Sequence, residues 1–289
     1  MTKQIQKILQ GILLVLLTLA LSACVTINDE PDDPTEDPTG ELSTPKYDAD
    51  AALFTITDDG ADLMSIELTE SGHYIVIPAG YMSGQTLSRG ESSEPSFGTY
   101  SRKGEGQYML DGLGSLKISE HVQTAVVVTL ARLSGVEVSY RARRETPTLS
   151  PTTSLLCRSW APCKVRMRRY IDDELVAQRE LAFNQYLDMY DGSDKYPEYV
   201  IFTRSGSYYG VFSNKGIAIS KWSWETEETG LLKLHNLYDE SENSLIQVSF
   251  DGAYMLWTAT VSRPYQGYEY SSDSIETIET TIFLEEVKD

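Results

Sequence analysis

Three cysteines and three histidines are all that the 289 residues contain. So few cysteines exclude a disulfide-dense scaffold. His73, His121 and His235 lie far apart, with no HExxH or comparable ligand spacing, so no metal site is expected. The chain also lacks a G-x-S-x-G elbow, a P-loop and a complete dinucleotide glycine motif; Gly112-Leu113-Gly114 has no third glycine and reads as a turn. No acid stands in a context that marks it as half of a glycosidase pair. Asp188, Asp191 and Asp194, around Gly192, lack the spacing of an EF-hand calcium loop. The expectation is a chain with no catalytic residues and no cofactor, and so no enzyme. Positive charge is short too: 24 Lys+Arg against 43 Asp+Glu give a formal net charge of −19. Such a surface repels phosphate backbones, which argues against nucleic acid as a partner. Long helical periodicity is almost absent.

What is there begins with one apolar run. Lys3 and Lys7 precede an almost wholly apolar stretch, residues 8–21, and the small pair Ser22-Ala23 follows. That layout is a secretory signal, too short for a comfortable membrane span. Leu21-Ser22-Ala23-Cys24 resembles the lipobox of bacterial lipoproteins. The resemblance implies cleavage before Cys24, a diacylglyceryl thioether on its sulfur, and an amine acylated by a fatty acid such as palmitate. Two or more chains anchor a protein stably to a membrane. The acids and prolines of residues 28–38 have nothing to bury and read as a solvated tether. Residues 25–50 would reach roughly 30 Å as a flexible coil. The acids after Cys24 resemble export signals that send some Gram-negative lipoproteins to the outer face of the outer membrane; the alternative is a spacer facing the periplasm.

The remainder is built from short alternating runs separated by turn pairs, which is the mark of an all-β sandwich or barrel. "LTESGHYIV" from Leu68 parallels "FTRSGSYYGV" from Phe202, with Ser71 and Ser205 134 positions apart. Ser-Gly between alternating runs marks a hairpin. A type I turn with a glycine bulge would oppose Leu68 to Tyr74; a two-residue loop would oppose it to Ile75. Both registers give consistent apolar faces. Further along, "FGTYSRKG" and "TAVVVTLARLSGVEVSYRA" parallel "ISKWSWET" and "SLIQVSFDGAYMLWTATV", with a glycine- and serine-rich insertion at 81–95 in the first half alone. Asp251-Gly252 is a two-residue hairpin signal that would set Val248 opposite Met255 and Ile246 opposite Trp257. Strands are expected around 164–171 and 275–287, a turn at Asp172-Asp173, and a short helix over 181–190, where Ala182, Phe183, Tyr186, Leu187 and Tyr190 share a face. Cys157 and Cys163, six apart, can pair only if 159–162 turn; in a strand they stay two free, partly buried thiols.

The organisation expected is a signal peptide at 1–23, a lipidated cysteine and acidic tether at 24–50, a β domain at 51–145, a polar linker at 146–153, and a second β domain at 154–289. Both domains are expected to be antiparallel meanders in tandem. From about Leu155 the chain resembles the bacterial lipocalin-like domains, through Trp160 in "CRSWAPCKV", the "FTRSGSYYGVF" hairpin and the "KWSW" strand. One departure is that Arg158 stands where the lipocalin Gly-x-Trp signature has glycine. The resemblance implies an up-and-down barrel of about eight strands that can hold one small ligand. Trp222 and Trp224, two apart, point to one strand face and Lys221 and Ser223 to the other. Those tryptophans, with Tyr208 and Trp257, are the candidate ligand-binding residues; core packing is the competing reading, and Trp160 reads as a barrel plug. The function expected is a surface-anchored lipoprotein of the outer membrane that binds a small apolar or glycan ligand. The alternative is a structural or adhesive protein that binds a protein partner at the cell surface through a sheet edge, with no cavity.

Overall fold

The alternating runs form seventeen strands and two short helices in this computed structural model, which describes residues 42, 50–81, 94–122, 125–147, 149–189, 196–213, 216–235, 243–265 and 273–287. Cys24, the signal and nearly all of the tether lie outside the described residues, as do 82–93 of the insertion. The chain divides into two compact units, residues 43–158 with 201–207, and residues 159–200 with 208–289.

In the first unit, β1 (Ala52–Ile56), β2 (Leu63–Leu68), β3 (His73–Pro78), β4 (Ser96–Gly104), β5 (Gln107–Leu110), β6 (Gly114–Val122), β7 (Ala125–Arg132) and β8 (Glu137–Glu145) run in chain order. Every neighbouring pair is antiparallel, and β1 closes on β8 with Leu53 opposite Glu145. The expected meander is thus a closed barrel. Closure follows the alternation: register places Phe54, Ile66 and Val76 in one row and Tyr108, Leu116 and Leu130 in another, all buried. Four tyrosines put rings inside and hydroxyls at the margins. Tyr74 donates to Asp111 O (2.7 Å), Tyr100 to Thr69 O (3.2 Å), Tyr108 to Asp50 (3.4 Å) and Tyr140 to Asp62 (2.7 Å). A buried phenol needs such a partner, and here each has one.

The two Ser-Gly hairpins settle on the same geometry. Thr69 N–H donates to His73 O and Thr203 N–H to Ser207 O; Gly72 and Gly206 sit at φ +80° and +78°. Leu68 lies opposite Tyr74, the glycine-bulge register. Even the side chains repeat, with Thr69 Oγ1 beside Ser71 Oγ and Thr203 Oγ1 beside Ser205 Oγ.

The stretch expected as a linker carries the start of helix α1 (Pro151–Leu156). Ser150 caps it by accepting from Thr153 N–H at 3.0 Å, and Pro151 opens it. Ser-Pro is a helix-start signal that polarity alone hides. Strand β9 (Ser159–Ile171) begins earlier than expected and runs through Cys163, so the two cysteines are free.

The second barrel contains β9, β11 (Tyr199–Phe202), β12 (Ser207–Val211), β13 (Ile217–Thr226), β14 (Leu231–His235), β15 (Ser244–Asp251), β16 (Tyr254–Pro264) and β17 (Ile275–Glu286), closed by β9 pairing with β17. Strand β10 (Glu174–Ala182) flanks β9 outside this ring, and helix α2 (Phe183–Met189) follows it. The fold is therefore all-β, two tandem antiparallel barrels, the second up-and-down with a short helix. Asp172 and Asp173 make the expected turn, both at positive φ (49° and 66°). One register differs: Asp251 faces Tyr254 and Val248 faces Trp257, so the hairpin loop is Gly252-Ala253, not Asp251-Gly252. A slip of two residues keeps every side chain on its face, so alternation cannot distinguish the two.

Candidate functional site

The inner wall of the second barrel is where the aromatic residues collect. Paired residues of neighbouring strands share a face. Trp222 faces Leu234, and Trp224 faces Leu232, which in turn faces Ile246. Val248, two residues beyond Ile246, faces Trp257, and Trp257 faces Ile282, which faces Val165 of β9. The rows make one face, and its members are buried apart from a partly exposed Trp224. Gly210 joins Tyr208 to this face: a Cβ built there would lie 3.7 Å from that of Ala218, four residues before Trp222.

Of the four candidates, Tyr208, Trp222 and Trp257 are 1%, 7% and 5% exposed. Burial pushes the Tyr208 phenol well above its ordinary range. The rings of Trp222 and Trp224 meet edge to face with centroids 5.9 Å apart, an arrangement that suits their quadrupoles. On the opposite face Ser223 Oγ lies 2.8 Å from His235 Nε2, and Lys221 is exposed. Trp160 is fully buried, its ring tilted against Phe250 at 6.1 Å.

Sequence reasoning missed the charged end of the same face. Continuing along β16 past Trp257, alternation brings Arg263 to this face, opposite Glu276 of β17, and Arg169 of β9 lies on it two residues before Ile171. Arg169 Nε and Arg263 Nε each donate to Glu276, both at 2.6 Å. Burial pushes the Glu276 carboxyl upward, but the bonds from Arg263 and Arg169 outweigh it and hold the group below the usual glutamate range. The available signal was a cation at an inward-parity position in two strands whose neighbouring inward positions (Val165, Met167 and Ile171; Trp257, Ala259 and Val261) are apolar, and its acid partner needs the register.

Among the described residues no group of three His, Cys, Asp or Glu side chains is placed to hold a metal ion. His73 lies 3.2 Å from Ser71 Oγ and stacks on Phe97, while His235 bonds Ser223. Burial pushes the Cys163 thiol up to about 11, which keeps it protonated and a poor nucleophile at neutral pH. Among the described residues no helix is long and apolar enough to cross a membrane. No family model matches the chain, and no curated protein matches its sequence.

Proposed function

We propose that the protein is a binding lipoprotein, anchored through Cys24 in the outer membrane and exposed at the cell surface, whose second barrel holds a small apolar or glycan ligand. The observation that carries the ligand reading is the aromatic inner face. Trp224 belongs to the same face as Trp222 and Trp257 yet keeps part of its surface in solvent. An aromatic on an inner wall that still meets solvent is suited to stack on a flat apolar or sugar surface.

The adhesive alternative draws on a different strand. The first barrel offers no free edge at its ends, since β1 pairs with β8. Strand β10 pairs with β9 alone among the described strands. Its Glu174, Arg179 and Glu180 are the kind of charges that blunt an edge against added strands. The barrel interior is therefore the preferred reading.

The test is titration with the neutral apolar dye N-phenyl-1-naphthylamine, read by energy transfer from tryptophan. Saturable transfer at micromolar dye is expected, and Trp224→Ala should weaken it about tenfold, as loss of a stacked aromatic contact does. Trp222→Ala should instead cost roughly 3–5 kcal/mol of stability, because that ring is packed. A folded wild-type protein with no saturable transfer would sink the ligand reading.

A further inference from the structure

The net charge of the chain is −19, yet two arginines, Arg169 and Arg263, come together at one end of the inner face of the second barrel. Beyond Trp257 the β16 positions on this face are Ala259, Val261 and Arg263. Six residues of strand span roughly 20 Å, so an apolar wall leads from the tryptophan to the arginine. Arg263 and its partner Glu276 lie one pair short of the end of the β16–β17 ladder, where Pro264 faces Ile275, and β9 ends beside them at Ile171. The charged group therefore stands at a rim.

The exposures differ in an informative way. The Glu276 side chain is 7% exposed, whereas Arg169 and Arg263 are 35% and 24% exposed. The carboxylate is covered, while both cations keep part of their surface in solvent. Glu276 meets the Nε of Arg169, a side chain with five N–H donors in a fixed fork. The Arg169 guanidinium also lies 5.7 Å from the centre of the Tyr265 ring. On this face of β10 the charges are Arg179, opposite Met167, and Glu174, opposite Ile171. The turn acids Asp172 and Asp173 follow Ile171 at the same end, and Asp172 accepts from Ile275 N–H, so the arginines stand among acids and it is their geometry, not a net positive field, that suits them to a ligand. A covered ion triad is a poor device for stability, since apolar residues of similar volume usually do as well or better. Arginine forks at the solvent edge of an apolar wall do suit a carboxylate.

We propose that Arg169 and Arg263 dock the acidic head of an amphipathic carboxylate, whose apolar body lies along the wall toward Trp257. This rests on the ligand reading above and narrows it to one ligand class. Glu276 holds the two guanidinium groups in place and competes weakly with the incoming acid.

The test compares dansyl-labelled undecanoic acid with its methyl ester on the full chain at neutral pH, read by energy transfer from tryptophan. The acid should bind about tenfold tighter than the ester, the gain of a charge-assisted contact. Arg169→Gln and Arg263→Gln should each bring the acid toward the affinity of the ester while leaving the ester unchanged. Glu276→Gln should tighten the acid, an opposite sign that a merely structural triad would not give. Should an arginine variant fail to fold, the wild-type chain still decides, because the preference for acid must shrink as salt rises. Equal affinity for acid and ester overturns the proposal and leaves the ligand reading standing; binding of neither overturns both. Displacement of the acid by acetate at the same concentration would show that the apolar body is irrelevant, and would also overturn it.

Discussion

Glu70 carries a carboxylate where water does not reach, in the first compact unit. Its Oε1 accepts from Arg204 Nε at 2.8 Å and from the Arg204 backbone N–H at 3.1 Å, while its Oε2 has no partner among the described residues. Burial raises its pKa to about 7, and Arg204 only partly opposes this. The sign then follows. Between about 4.5 and about 7 the folded state keeps a proton that the unfolded chain has released, so this group makes stability fall as pH rises through that window. Glu70→Gln should flatten that part of the profile, measured by urea unfolding at several pH values. Arg204→Ala should cost about 3–5 kcal/mol at pH 8, because it strands a buried charge. An unchanged slope in Glu70→Gln would show that the carboxyl is not the group responsible.

At the scale of elements, the hairpins show what local chemistry dictates. Asp172 and Asp173 both adopt positive φ between β9 and β10, a conformation that a Cβ disfavours. Asp172 has a compensating role, since its carboxylate accepts from Ile275 N–H at 2.8 Å. That bond above all, and one from Ser274, lower its pKa despite the opposing effect of burial. Asp173 accepts no such bond among the described residues, and at φ 66° it is the better place for glycine. Asp173→Gly should therefore stabilise the protein by about 0.5–1 kcal/mol, seen as a higher melting temperature. A loss of stability would mean that the aspartate side chain supports the turn in another way. Gly230 is the converse case: at φ +72° a Cβ would lie 2.1 Å from Val248 O, so no other residue fits that turn.

On the scale of the whole molecule, the proposed address depends on one residue. If Leu21 to Cys24 are processed as a lipobox, an alkyne fatty acid fed to the producing cells should label the protein, and Cys24→Ala should abolish the label. Labelling that persists in that variant would place the acyl group elsewhere and remove the basis for the anchor. A permanent anchor and a ligand site on a barrel are compatible, because the intervening acidic stretch has length to spare.

What the sequence determined by itself was whatever depends on neighbours along the chain. Alternation with a period of two assigned strands, placed Trp222 and Trp224 on one face, and marked the Ser-Gly and Asp-Asp turns. The short helix was legible from its 3.6-residue apolar face, to within two residues of the observed Phe183–Met189. Tertiary structure decided the rest. Whether β1 meets β8, which register joins β15 to β16, and which acid sits between Arg169 and Arg263 all depend on strands brought together across long loops. A two-residue slip preserves every face, and closure changes no local pattern, so neither leaves a trace in the order of residues. Only the closed sheet fixes both, because there each strand must satisfy two neighbours at once.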